Sequence, residues 1–174
     1  MKSLIIAVVA WLVVLGLRAD PASACSCPDG GPFSKVAPEG DLVVIGDVRS
    51  HHGNSLQLDI VEVLQGQEKR RAITVWGDNG MQCRPYVSMF PEGTRWAFSL
   101  FLLPDEEAQR DLKNLREPPT FLEAEAPFYV LSGCGTYWLE VRGESAYGRI
   151  KAQERGGEES ISVRKLASWP WKKP

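Results

Sequence analysis

The chain has only two histidines, three methionines and four cysteines among 174 residues, and these scarcities exclude several kinds of function. His51 and His52 are adjacent and no third histidine exists, so a Ser-His or Cys-His catalytic pair has almost nothing to be built from. No Gly-x-Ser-x-Gly, His-Glu-x-x-His or phosphate-cradling glycine loop occurs. The chain therefore does not read as an enzyme, and no cofactor is called for. An excess of positive charge is also missing. The 20 Lys and Arg residues stand against 22 Asp and Glu, which argues against a dedicated nucleic-acid binder. Internal repeats and low-complexity tracts are absent. The longest apolar run, Leu4–Leu17, is about 14 residues, short of the roughly 20 that a membrane-spanning helix needs. No later stretch approaches that length, so no transmembrane segment is expected in the mature chain.

That run belongs to a leader. Lys2 precedes it and the small-x-small site Ala22-Ser23-Ala24 follows, so residues 1–24 read as a secretory signal peptide. Cleavage after Ala24 leaves 150 residues beginning at Cys25, a comfortable length for one domain. The loss of Lys2, Arg18 and Asp20 leaves 18 basic and 21 acidic residues, a formal net charge of −3. The mature chain is expected to be a secreted or periplasmic monomer. A lipoprotein reading, with Cys25 acylated, is weakened by Ala22, which stands where a lipobox usually carries Leu or Val.

All four cysteines, Cys25, Cys27, Cys83 and Cys134, lie in the exported part. An even count in an oxidising compartment is read as two disulfides. A Cys25–Cys27 bridge would be strained, which leaves two connectivities, each tying the N-terminus to Cys83 and Cys134. A zinc site is the competing reading, but only Cys25-x-Cys27 is clustered in sequence.

The mature chain reads as mostly β. Asp41–Val48 is apolar and β-branched and suits a buried strand, and His51–Asn54 reads as a turn. Leu56, Leu58 and Ile60 alternate with polar residues, and the apolar phase then slips so that Val61 and Val63 continue it. Such a slip is what a β-bulge produces. Gln65-Gly66 ends that strand. Ala72–Trp76 and Arg95–Leu103 follow, separated by the Gly77–Gly80 and Pro91–Gly93 turns. Asp105–Leu115 carries a thin apolar stripe and reads as a charged surface helix closed by Pro118-Pro119. Phe128–Leu131, Tyr137–Val141, Ala146–Ala152 and Ser160–Leu166 are the remaining strand candidates, the last two joined at Gly156-Gly157. This pattern implies a small β-barrel with a helical insertion and a C-terminal β extension. The expected organisation is a barrel over residues 25–144 and an extension over 145–174 packing on it.

Other residues invite a functional reading. His51 and His52 could bind a metal, but adjacent residues of an extended chain point to opposite sides and a solvated loop explains them. The charged stretch from Asp105 could form a partner-binding face or an exposed helix with i,i+3 and i,i+4 charge pairs. Trp169 and Trp171, flanked by lysines, are a candidate partner contact or a means of packing the tail onto the barrel. Trp76, Trp96 and Trp138 fall in strands and read as core or barrel-face residues.

Taken together, several features resemble one family. They are Cys25-Ser26-Cys27-Pro28 at the mature N-terminus, Asp41–Gly46, a strand ending Val63-Leu64-Gln65-Gly66, Cys83 after the third strand, and Gly133-Cys134-Gly135. The pattern is similar to the N-terminal inhibitory domain of the tissue inhibitors of metalloproteinases and its exported bacterial relatives. The resemblance covers about Cys25–Val141 and is looser over Phe101–Phe128. It implies a netrin-like OB-fold barrel and the disulfides Cys25–Cys83 and Cys27–Cys134. It also implies that the amino group and carbonyl of Cys25 chelate the catalytic zinc of a metalloprotease, with Ser26 entering the specificity pocket. The third disulfide of the animal domain and the separate cysteine-rich C-terminal domain have no counterpart here. On the resemblance, the expected function is that of an exported, disulfide-stapled protein-binding domain that inhibits a zinc metalloprotease. The alternative is a non-inhibitory envelope or extracellular structural or binding module.

Overall fold

The structure, a computed structural model, describes residues 27–78, 83–103, 106, 128–151 and 159–171. Its first long element is β1, Leu42–His52, whose LVVI start is buried on both faces, as a strand sandwiched between two cores must be. It turns at Gly53-Asn54 into β2, Ser55–Gln65. Gly53 has φ 59° and takes the first central position of this two-residue turn, where a primed hairpin turn needs a residue free of a Cβ. The strand therefore runs through His51 and His52, which the sequence reading placed in the turn.

β1 and β2 are antiparallel with three register shifts. Val44 faces Val63 and Val43 faces Gln65, leaving Leu64 unpaired. Ile45 faces Glu62 and Gly46 faces Ile60, so Val61 is the extra residue. The predicted bulge is thus present at Val61. Val61 and Val63, however, are 50% and 36% exposed, whereas Leu64 is the residue that packs inward.

β3, Ala72–Trp76, and β4, Arg95–Leu103, have the expected bounds. β5 is Phe128–Val130, β6 Trp138–Arg142, β7 Ser145–Gly148 and β8 Glu159–Ser162. β3 pairs antiparallel with β2 and parallel with β5, β5 pairs antiparallel with β4, and β4 pairs antiparallel with β1. The circuit β1-β2-β3-β5-β4-β1 closes a five-stranded barrel with the strand order of an OB fold. Val44, Leu56, Leu58, Ile73, Val75, Phe98 and Leu100 fill it. Phe90 plugs one end, edge-on to Trp96, Phe98 and Trp138 at 5.1, 5.0 and 5.5 Å. Trp76 is fully buried, and Trp96 and Trp138 are half-buried against the same core.

A second core lies outside the barrel. β6 pairs with the Arg95–Phe98 half of β4 and continues the sheet into β7 and β8. Val43, Ile45 and Ala97 of the barrel meet Leu139, Val141, Ala146, Ile161 and Leu166 there. The predicted boundary after Glu144 falls in the turn of the β6–β7 hairpin, so one continuous sheet crosses it. The C-terminal residues pack on the barrel. Two expectations change here. The stretch Ser160–Leu166 is a strand to Ser162 followed by a short helix, Val163–Ala167, because Ser162 Oγ accepts from Lys165 N at 3.3 Å and caps it. The strand expected over Ala146–Ala152 ends at Gly148. The helix expected from Asp105 to Leu115, apart from Glu106, and the Gly156-Gly157 turn lie outside the described residues. Among the described residues no helix is long and apolar enough to cross a membrane.

Candidate functional site

The N-terminal segment enters the described chain at Cys27 and runs to the short helix α1, Phe33–Val36. In its sequence, Cys27-Pro28-Asp29-Gly30-Gly31-Pro32, Pro32 is buried but Cys27, Pro28 and Asp29 are exposed, so other contacts must anchor the start of the segment. Cys27 is joined to Cys134 by a disulfide with Cα atoms 5.6 Å apart. The closed loop spans 107 residues, and in the chain-entropy model such a closure contributes about 4–5 kcal/mol. Gly30 N donates to Cys134 O at 2.6 Å, an approach so close that a Cβ on Gly30 would sit 2.6 Å from that oxygen. Thr136 N donates to Gly31 O at 3.0 Å, and Phe33 N donates to Arg149 O at 2.9 Å. Asp29 pairs with Arg149 and accepts from Gly31 N at 2.9 Å. The Arg149 guanidinium holds the Asp29 carboxyl below its ordinary range. The cysteines are the sequence signal for the staple, and Asp29-Gly30-Gly31 is a turn-forming stretch that suits the backbone contacts beside it.

Cys83, which follows β3 in the chain, comes to the same place. Gly133 N donates to Cys83 O at 2.7 Å, which fixes the Cys83 backbone beside the Gly133-Cys134-Gly135 loop. The three sulfurs of Cys27, Cys83 and Cys134 all lie within 4.8 Å of one another. Three cysteines that are far apart in sequence therefore form one cluster, and the grounds for setting aside a zinc site do not hold. What removes two of the three from the inventory of thiolate ligands is the Cys27–Cys134 bond itself. Cys83 carries a thiol that is half-buried and forms no disulfide among the described residues. A hollow of about 300 Å³ lies alongside it, lined by Cys83, Arg84, Phe101 and Leu131 among others. Cys25 and Ser26, the expected chelator and pocket residue, lie outside the described residues.

The other sequence candidates lie elsewhere. Trp169 and Trp171 are half-buried and pack on Phe33, with ring centroids at 6.1 and 6.4 Å, and Trp171 Nε1 donates to Leu166 O at 3.0 Å. The tail thus covers α1, six residues after Cys27, and helps to hold the same segment that the disulfide pins. His51 and His52 do not form a metal pair. His51 Nε2 lies 2.9 Å from Phe90 O, and His52 Nε2 lies 3.1 Å from Ser50 Oγ. Tyr86 and Met89, on the segment following Cys83, are 62% and 52% exposed and were not singled out by sequence reasoning, which has no means of distinguishing a surface aromatic from a core one. Comparison of the chain with protein-family models, with curated proteins and with solved structures finds no match.

Proposed function

We propose that the chain is an exported, disulfide-stapled protein-binding domain of the tissue-inhibitor type, and that it inhibits a zinc metalloprotease through the free N-terminus of Cys25. The observation that carries this reading is the sulfur cluster. The Cys27–Cys134 bond is the pairing the resemblance implies, and the Cys83 thiol waits beside it, within 4.8 Å. Cys25 is two residues from Cys27 in sequence, so its thiol is within chain reach of Cys83. A second staple there would place the Cys25 α-amine and carbonyl at the end of a clamped segment. A neutral α-amine, with an ordinary pKa of about 7.7–8.0, is a nitrogen ligand for the open position of a catalytic zinc. Clamping the segment beforehand reduces the ordering cost of binding. The OB strand order supports the same reading, as the barrel that the resemblance implies.

The test uses the exported protein. Intact mass and N-terminal sequencing should give a mature chain that starts at an unmodified Cys25 with two disulfides. That protein should slow cleavage of a fluorogenic peptide by a metzincin catalytic domain. One alanine inserted before Cys25 should weaken inhibition at least tenfold, about 1.4 kcal/mol, with the thermal midpoint unchanged. An acylated Cys25, a mature chain that starts elsewhere, or an alanine-extended chain that inhibits equally well would each overturn the chelation reading. They would leave a non-inhibitory binding module.

A further inference from the structure

The bulged half of β2 has a neighbour on one side only. β3 follows β2 from Ser55 to Asp59, and the next contact is Ile60 N donating to Arg71 O at 2.8 Å. Beyond it, no strand among the described residues pairs with Val61–Leu64 on the side away from β1. β8 is the last strand of the sheet, and its edge away from β7 is likewise unpaired among the described residues. The strands β2-β1-β4-β6-β7-β8 curl around the second core, and where the two ends of that curl approach each other a groove of about 600 Å³ remains. Val61 and Glu62 line it from β2, and Ser162, Val163 and Arg164 line it from the C-terminal layer. Ile45 and Val141 add buried apolar surface.

The charge in this groove is unbalanced. Arg95 on its lining is already held by Asp47, at 2.6 and 2.8 Å. Glu62 and Glu144 are exposed lining residues whose carboxylates make no hydrogen bond or ion pair among the described residues, and Arg164 is the remaining cation there. An unpaired strand edge is a template for another strand, and pockets for alternate side chains give such addition its specificity. We propose that this groove binds an extended segment of a partner protein in which apolar residues alternate with Lys or Arg. The apolar side chains enter between Val61 and Val163, and the basic ones meet Glu62 and Glu144. A second copy of this chain is a poorer occupant, since the chain itself carries a formal net charge of −2.

The test titrates the ¹⁵N-labelled exported protein with the peptide acetyl-Lys-Val-Lys-Val-Arg-Val-Lys-amide and with its counterpart in which every basic residue is glutamate. The basic peptide should saturate and shift the amides of Val61–Leu64 and of Glu159–Ser162, and it should slow their hydrogen exchange. The acidic peptide should bind at least tenfold more weakly. The double variant Glu62→Gln/Glu144→Gln, changed only at exposed positions, should keep its thermal midpoint and lose at least tenfold in affinity for the basic peptide. Equal binding of both peptides, shifts confined to other surfaces, or no saturation below about 1 mM would overturn the proposal. A concentration-dependent dimer that perturbs the same amides without peptide would also overturn it and assign the groove to a second copy.

Discussion

Glu68 carries a charge that the fold holds almost out of solvent. It lies in the connection between β2 and β3 with its side chain only 7% exposed. It accepts from Arg70 N, Nε and Nη2 at 2.8, 3.0 and 2.6 Å and from the Tyr129 hydroxyl at 2.9 Å. The loop that leaves β2 is thereby tied to β5 on the far side of β3. The Arg70 guanidinium, ahead of the other donors, holds the Glu68 carboxyl down to about 2. Burial, reinforced by the bond to Glu68, pushes the Tyr129 phenol up to about 12. Because the folded-state value of Glu68 is depressed, its contribution is fully present above the ordinary carboxylate range and is lost as pH falls from about 4.5 toward 2. Glu68→Gln should therefore cost about 1–3 kcal/mol at pH 7, the range for a hydrogen-bonded charged group. It should also flatten the acid limb of the stability profile. Urea unfolding at pH 7 and pH 3 checks both parts. A variant that loses as much stability on acidification as the parent would show that other carboxylates dominate.

Besides its backbone bonds and the Asp29–Arg149 pair, the N-terminal segment is held by the Cys27–Cys134 bond and by the Trp169/Trp171 cover over Phe33. Cys27→Ser should cost about 2–5 kcal/mol. Trp169→Ala/Trp171→Ala, which removes half-buried rings, should cost about 1–3 kcal/mol. In the tryptophan variant, hydrogen exchange at Phe33 and Ser34, whose amides bond Arg149 O and Ile150 O, should rise more than exchange in β2. A uniform rise would mean that the tail does not act on this segment. Part of this arrangement was legible in the sequence. The β3 and β4 spans follow from β-branched alternation between strong turns, and the slip after Ile60 marks the bulge at Val61, although Val61 and Val63 beyond it face solvent and Leu64 packs inward. Where reading failed, the deciding contact was distant or ambiguous. β1 continues through His52 because Ser55–Gln57 pair with it and because Phe90 O and Glu92 reach His51. Before the helix Val163–Ala167, Ile161 and Val163 alternate as in a strand, while Val163 and Leu166 are spaced as on one helix face, and the Ser162 cap decides where the change falls. The meeting of Cys83 with Cys134 depends on the parallel β3–β5 pairing. No local pattern encodes that pairing.

At the scale of the molecule, the two cores share β1 and β4. In β4, Phe98 and Leu100 fill the barrel while Ala97 faces the second core, and Ser99 Oγ, also buried, donates to Ala37 O at 2.8 Å. In β1, Val44 and Val48 belong to the barrel while Val43 and Ile45 belong to the outer core. Neither core can lose its packing without stripping one face of a strand that the other needs, so the barrel and the C-terminal layer should unfold together. Leu139→Ala, at a fully buried position of the outer core, should lower stability by about 2–5 kcal/mol. It should do so as a shift of the urea midpoint with an unchanged slope, seen alike by tryptophan fluorescence and far-ultraviolet circular dichroism. The probes suit the question because Trp169 and Trp171 report on the outer layer, Trp76 on the barrel, and the backbone signal on both. A biphasic curve, or a midpoint by fluorescence that departs from the one by circular dichroism, would mean that β6 to β8 form a separately melting layer. The groove between β2 and β8 would then open and close with that layer, and its affinity for a strand would follow the layer's stability.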